Sequence, residues 1–270
     1  MDKLDTSSPM NRLLDIMSRL RNPDGGCPWD LQQDFSTIAP HTIEEAYEVA
    51  DAIAEGDMED LKGELGDLMF QVVFYAQMAK ENGDFDFNGV IDAISDKMIR
   101  RHPHVFGTTD IGSAEAQTVA WEDAKAQERA LKAKARQTPP SALDGVANGL
   151  PALTRAVKLQ NRAARVGFDW PDIGPVFDKI DEEMAELKEE IEQGGSQHRI
   201  AEEYGDLLFV LANLGRHLEL EPETILRQAN KKFTGRFQAV EALLAKRGKG
   251  PSDSTLKEMD GLWNKVKNNK

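Results

Sequence analysis

The chain repeats itself around its acids. TIEEAYEV followed by GELGDLMFQVVFYAQ in the first half returns as KIDEEMAELKEE followed by EEYGDLLFVLANLG in the second. The overlay sets Glu44, Glu45, Glu48, Glu64 and Asp67 against Glu182, Glu183, Glu186, Glu203 and Asp206. A repeat at this scale means two related supersecondary units in one chain. Each carries long 3.6-residue periodicity, and no run shows the alternation and β-branched enrichment of a strand. The expected fold class is all-α.

Leu61, Leu65, Leu68, Val72 and Ala76 make one apolar stripe with Glu64 and Asp67 at its border. Thr42 followed by Glu45 predicts a capping box that opens the preceding helix. Downstream, Lys97 and Arg101 in DKMIRRHPHVF match Lys232 and Arg236 in NKKFTGRF, so each acidic helix pair is followed by a basic helix. We place the first domain at 9–107, a helical connector at 108–148 (TPPSALDG marking its end) and the second domain at 149–270. Within the second, GKGPSDS is a loop before a last helix carrying Trp263 and Lys267. The runs LMFQVVFYAQM and LLFVLANL are wider than a two-helix hairpin covers, which predicts bundles completed by a homodimer.

Like charges at helical spacing repel, and residues 41–60 hold eight acids and no Lys or Arg. Carboxylates beside a buried stripe are costly unless paired or metal-bound. Glu45 with Glu48, and Glu64 with Asp67, are i,i+3 pairs. Antiparallel packing across the EGDMED turn would bring all four to one point, and the second half repeats the set. Such an oxygen cage suits a hard divalent cation, Mg²⁺ or Mn²⁺, whose natural partner is a polyphosphate. A di-iron bundle would need Glu-x-x-His, and no histidine has Glu three residues before it. Lys232 and Arg236, at i,i+4, could grip phosphates. Trp263 and Lys267, also i,i+4, could meet a base and a phosphate, or Trp263 could simply pack its helix. Trp29 and Trp170 hold matching positions before each acidic pair, open to packing or to base stacking. Cys27 in GGCPWD reads as part of a turn.

Acids outnumber Lys and Arg by 47 to 33, a net charge of -14, which argues against a nucleic-acid polymer as partner. The N-terminus shows neither a signal core nor an Arg-rich transit pattern, and no run approaches the ~20 apolar residues of a membrane span. A cytoplasmic protein with no membrane contact is expected. No GxxxxGK[ST], HExxH or GxSxG occurs.

With the doubled EExxE…ExxD pattern, GGCPWDLQQDFSTIAPHTIEEAYEV, MIRRHPHVFG and the late WNKVK, the chain resembles the MazG family of two-domain nucleoside triphosphate pyrophosphohydrolases over nearly its whole length. Gln33-Asp34 departs from the family's usual Gln-Thr, away from the acids. The resemblance implies an all-α NTP pyrophosphatase fold, Mg²⁺ dependence, a homodimer, and conversion of an NTP to NMP and pyrophosphate. It carries metal ligation to Glu183, Glu186, Glu203 and Asp206, and nucleotide contacts to Lys232, Arg236, Trp263 and Lys267. Glu45, Glu48, Glu64 and Asp67 correspond in the first half, which lacks a partner for the Trp263/Lys267 segment; most hydrolysis is therefore expected in the second half. Glu182, flanking the ligands, is the candidate to orient or deprotonate water. The competing readings are a non-catalytic helical dimerisation or regulatory module, and a phosphohydrolase that removes the terminal phosphate.

Overall fold

The computed structural model describes residues 4, 7–108, 112, 113, 116–118, 120, 121, 125–127, 139 and 141–268. Among them every regular element is a helix. The chain divides into two compact units, Met1–Ala124 and Lys125–Lys270. Much of the helix expected in the connector, residues 113–137, lies outside the described residues. No helix among the described residues is long and apolar enough to cross a membrane.

The first unit contains α1 (Pro9–Leu20), α2 (Pro28–Gln32), α3 (Phe35–Glu55), α4 (Met58–Asn82), α5 (Phe87–Arg101) and α6 (Pro103–Phe106). The expected helix start at Thr42 is wrong. Asp34 accepts from the Ser36 and Thr37 amides while Thr37 Oγ1 accepts from the Asp34 amide, a reciprocal cap that opens α3 two turns earlier. Thr42 lies inside the helix, its hydroxyl 2.9 Å from Tyr75 Oη. Only Gly56 and Asp57 separate α3 from α4. Gly56 takes the left-handed conformation (φ 75°) that closes α3, and the Asp57 carboxylate accepts from the Glu59 and Asp60 amides to open α4. So short a turn makes the two helices antiparallel neighbours.

Met17 of α1 packs with Ile38 of α3, Val73, Phe74, Ala76 and Met78 of α4, and Phe87 of α5 to form the first core. Burial on α4 is concentrated from Gln71 onward. Leu65, on the expected stripe, is half exposed, so the acid-bearing end of α4 is uncovered in the single chain.

The second unit contains α7 (Ala152–Ala164), α8 (Gly174–Glu192), α9 (Gln197–His217), α10 (Pro222–Ala245), a 3₁₀ turn at Pro251–Asp253 and α11 (Leu256–Asn268). Helices α8 and α9 repeat the α3/α4 hairpin, with Ser196 capping α9 through the Arg199 amide. At Gly215 an added Cβ would stand 2.6 Å from Pro222 Cγ, so a side chain there would push α10 off the end of α9. The core is thinner than the first: Ala156 and Val157 meet Ala212, and Val240 and Leu244 meet Leu262 with Trp263 packed beside them.

Candidate functional site

Each hairpin brings together three of the four carboxylates expected to meet, leaving out Asp67 in the first unit and Glu186 in the second. In the second unit one oxygen each from Glu183 of α8 and Glu203 and Asp206 of α9 lie within 4.8 Å of one another; in the first unit the same holds for Glu45 and Glu48 of α3 and Glu64 of α4. Asp67 and Glu186 stand beside these trios, close enough for the charge of Asp67 to act on Glu45 and Glu64 and that of Glu186 on Glu203.

The surroundings differ between halves. In the second, Lys179 donates to Glu183 Oε1 at 2.6 Å and to Glu182 at 2.9 Å, which raises its own pKa above the usual lysine range. Arg199 reaches Glu203 at 2.8 Å, Glu202 at 3.2 Å and Glu190 at 3.4 Å. The repeat register places His41 and Asp60 where these cations stand. Among the described residues, no Lys or Arg pairs with Glu45, Glu48 or Glu64; Glu45 accepts a 3.3 Å hydrogen bond from Gln71. Burial, then neighbouring acids, push the carboxyls of Glu45 and Glu64 up. Glu203 is also pushed up, first by burial and further by Glu186 and Asp206, with Arg199 opposing.

The second trio fits a hard cation on the state of Glu183. Its side chain is buried, one oxygen rests on Lys179, and the other, Oε2, is sealed from water without a partner. A buried acceptor with nothing to accept calls for a cation or a donor. All-oxygen donors on two rigid helices suit Mg²⁺ or Mn²⁺ rather than a metal that seeks nitrogen or sulfur.

Among the other residues singled out, Glu182 lies outside the trio, exposed and tied to Lys179. Lys232 and Lys267 are exposed on α10 and α11. Arg236 lies over the Trp263 ring, 5.9 Å from its centroid, and Phe233 packs against the indole with centroids 5.3 Å apart and ring planes tilted by 47°. Trp263 therefore packs its helix while presenting a cation–indole pair. Lys97 and Arg101 are half-buried on α5. Two residues that spacing had not singled out, Lys179 and Arg199, touch the acids directly. Their signal was the contrast with His41 and Asp60 at the matching places.

A family model described as the MazG nucleotide pyrophosphohydrolase domain matches twice, at residues 33–106 and 176–240, so each match contains one hairpin. The chain is 52% identical over 259 residues to a nucleoside triphosphate pyrophosphohydrolase of Escherichia coli (strain K12), covering 96% of this chain and 97% of that one. It is 42% identical over 255 residues to the nucleoside triphosphate pyrophosphohydrolase/pyrophosphatase MazG of Thermotoga maritima, covering 94% of each. With both hairpins matched and both relatives aligned almost end to end, the chain belongs to the MazG nucleotide pyrophosphohydrolase family.

Proposed function

We propose that this protein hydrolyses nucleoside triphosphates to the monophosphate and pyrophosphate at the second-half acid cluster, with Mg²⁺, or Mn²⁺ in its place, held by Glu183, Glu186, Glu203 and Asp206. The observation that carries the reading is the convergence of Glu203 and Asp206 on a buried Glu183 whose second oxygen has no partner, in a chain of this family. When bound, the divalent cation offsets phosphate charge and acidifies a coordinated water.

The chain's own residues supply the rest. Lys179 and Arg199 lie within one helical turn of the ligands they touch. With a cation held at the trio, the ammonium and the guanidinium fork would be free to meet phosphate oxygens, for which the fork is well shaped. Lys232 and Arg236 add charge against the developing negative oxygens, and Trp263 with Lys267 forms the nucleotide-facing end of α11. Glu182, exposed beside the trio, orients or deprotonates the attacking water. The first cage has acids without the two cations; it holds a metal but grips a triphosphate poorly, and its role is structural or regulatory. Exposed Leu65 and Met69 on α4, and Leu208 and Leu211 on α9, favour a homodimer that covers them.

The deciding experiment separates products from a panel of NTPs with and without Mg²⁺. Metal-dependent release of pyrophosphate is expected. Release of orthophosphate, or of nothing, refutes the reading in favour of terminal-phosphate hydrolysis or a non-catalytic module.

A further inference from the structure

Between α7 and α9 the second unit leaves a cavity of about 540 Å³, walled chiefly by Leu159, Gln160, Phe168, Trp170, Phe209 and Asn213. We infer that it is a second ligand site, separate from the nucleotide contacts on α10 and α11, and that it takes an uncharged, ring-sized molecule with one N–H or O–H donor for the Gln160 carboxamide oxygen. Nothing in the inference draws on the proposed hydrolysis.

The cavity is of ligand size, mostly apolar and aromatic with few polar groups, which is the make-up of a small-molecule site. Its polar wall is unfinished. Gln160 is 8% exposed, its Nε2 donates to the Phe209 carbonyl at 2.8 Å, and its Oε1 is sealed from water with no partner. Turning the amide over would set that oxygen against the carbonyl, so the acceptor is the end left over. A buried acceptor without a donor is costly, and an incoming N–H or O–H satisfies it. The duplicate half shows that the fold does not require this gap. Laying RLLDIMSRL of α1 over RAVKLQNRA of α7 sets Met17 against Gln160, and the acid register sets Phe74 against Asn213. Met17 and Phe74 are fully buried in one apolar core. Where the first unit packs solid, the second keeps a cavity and an amide pair.

The same walls set the chemistry of the occupant. Arg216 is the cation that lines the cavity, and it is already engaged: Nε donates to Asn213 Oδ1 at 2.8 Å and the guanidinium pairs with Asp169. A phosphate or carboxylate would enter without a countercharge, which burial penalises heavily. The ligand is therefore neutral. Phe209 and Trp170 offer aromatic faces, and Phe168 leaves 82% of its surface to water, area that a flat ring in the cavity covers. One unpartnered acceptor in an otherwise apolar wall asks for one donor on that ring.

The test is calorimetric titration of the full-length chain with indole, 1-methylindole and benzoate. Indole should bind at a single site with a Kd of about 1 mM or tighter, the affinity a ligand of that size reaches in a fitting pocket. 1-Methylindole keeps the ring without the N–H and should bind about tenfold more weakly, and benzoate, a charged ring, should not bind. Gln160→Met copies the first unit at similar bulk and should erase the preference for indole over 1-methylindole. Asn213→Phe copies its plug and should abolish indole binding; should that variant fail to fold, Gln160→Met decides. AMP with pyrophosphate in Mg²⁺ should leave indole bound. Failure of indole to bind, equal affinity for 1-methylindole, a preference that survives in Gln160→Met, or binding of benzoate overturns the inference. Displacement of indole by AMP overturns it too, because the cavity would then belong to the nucleotide's own site. A parent chain that cleaves no NTP refutes the proposed function alone, since none of these titrations reads catalysis.

Discussion

Replacing Lys179 by Met should destabilise the metal-free protein and leave the metal-loaded protein nearly unharmed. Lys179 stands 2.6 Å from a Glu183 oxygen, on a carboxylate whose side chain is only 6% exposed and whose other oxygen has no partner. Removing one member of a buried pair costs about 3–5 kcal/mol because the remaining charge is stranded. Lys179 is itself 30% exposed, and water screening lowers the expected cost to about 2 kcal/mol. At roughly 2–4 °C per kcal/mol for a protein of this size, Tm in EDTA should fall by about 4–8 °C. A divalent cation at about 100 times its Kd adds about 2.7 kcal/mol to the parent by linkage. The variant gains more, since the cation no longer competes with the ammonium for Glu183. Calorimetric melts in EDTA and in saturating Mg²⁺ measure both gaps, with Lys62→Met, from an exposed pair with Glu59, as a control that should show no metal dependence. An equal gap in the two conditions would refute the idea that Lys179 and the metal share an oxygen.

Glu203→Gln and Asp206→Asn should each lower turnover by about 10²-fold or more while circular dichroism stays helical, because the acids face the cation and not the core alone; near-normal Mg²⁺-dependent release of pyrophosphate rules out the ligand assignment. The pair Glu183→Gln with Glu186→Gln should lose hydrolysis and the pair Glu45→Gln with Glu48→Gln should keep most of it, an order that pyrophosphate assays can reverse. Hydrogen bonds from Arg216 depress the pKa of Asp169, so this carboxylate contributes stability above the unfolded value near 3.9 and loses it as pH falls through the folded one. Asp169→Asn should therefore cost about 1 kcal/mol from pH 7 down to about 5, with the difference shrinking below about pH 4 in denaturant titrations; a gap independent of pH argues against the pair. Light scattering should give a mass near twice 30.0 kDa at micromolar concentration, and a monomer would remove the covering of Leu65 and Leu208 from the account.

The carboxylate cages were legible because they rest on local rules. An i,i+3 pair stays on one helix face, and Gly56-Asp57 permits only an antiparallel return, so the meeting of Glu45, Glu48 and Glu64 follows from spacing. Lys179 and Arg199 were harder to see, because a cation three or four residues before a Glu is an ordinary helix-surface pair. The start of α3 was missed because two capping signals competed, and Asp34 with Thr37 supplied both halves of a reciprocal cap. The cavity between α7 and α9 gave no local sign. A cavity is a volume left unfilled by residues far apart in the chain, and only the packing of α7 on α9 exposes it.

The unequal interiors of the two units have a consequence for how the chain opens. Met17, Ile38, Val73, Phe74 and Met78 interlock in the first unit, whereas Ala156, Val157 and Ala212 meet beside open space in the second. Unfilled volume forfeits dispersion contacts, so backbone amides of α7 and α9 near the void should exchange with deuterium through cheaper local openings than those of α1 and α4. The second unit then breathes while its duplicate holds still, and a ligand that closes the void would slow the exchange of its own half first.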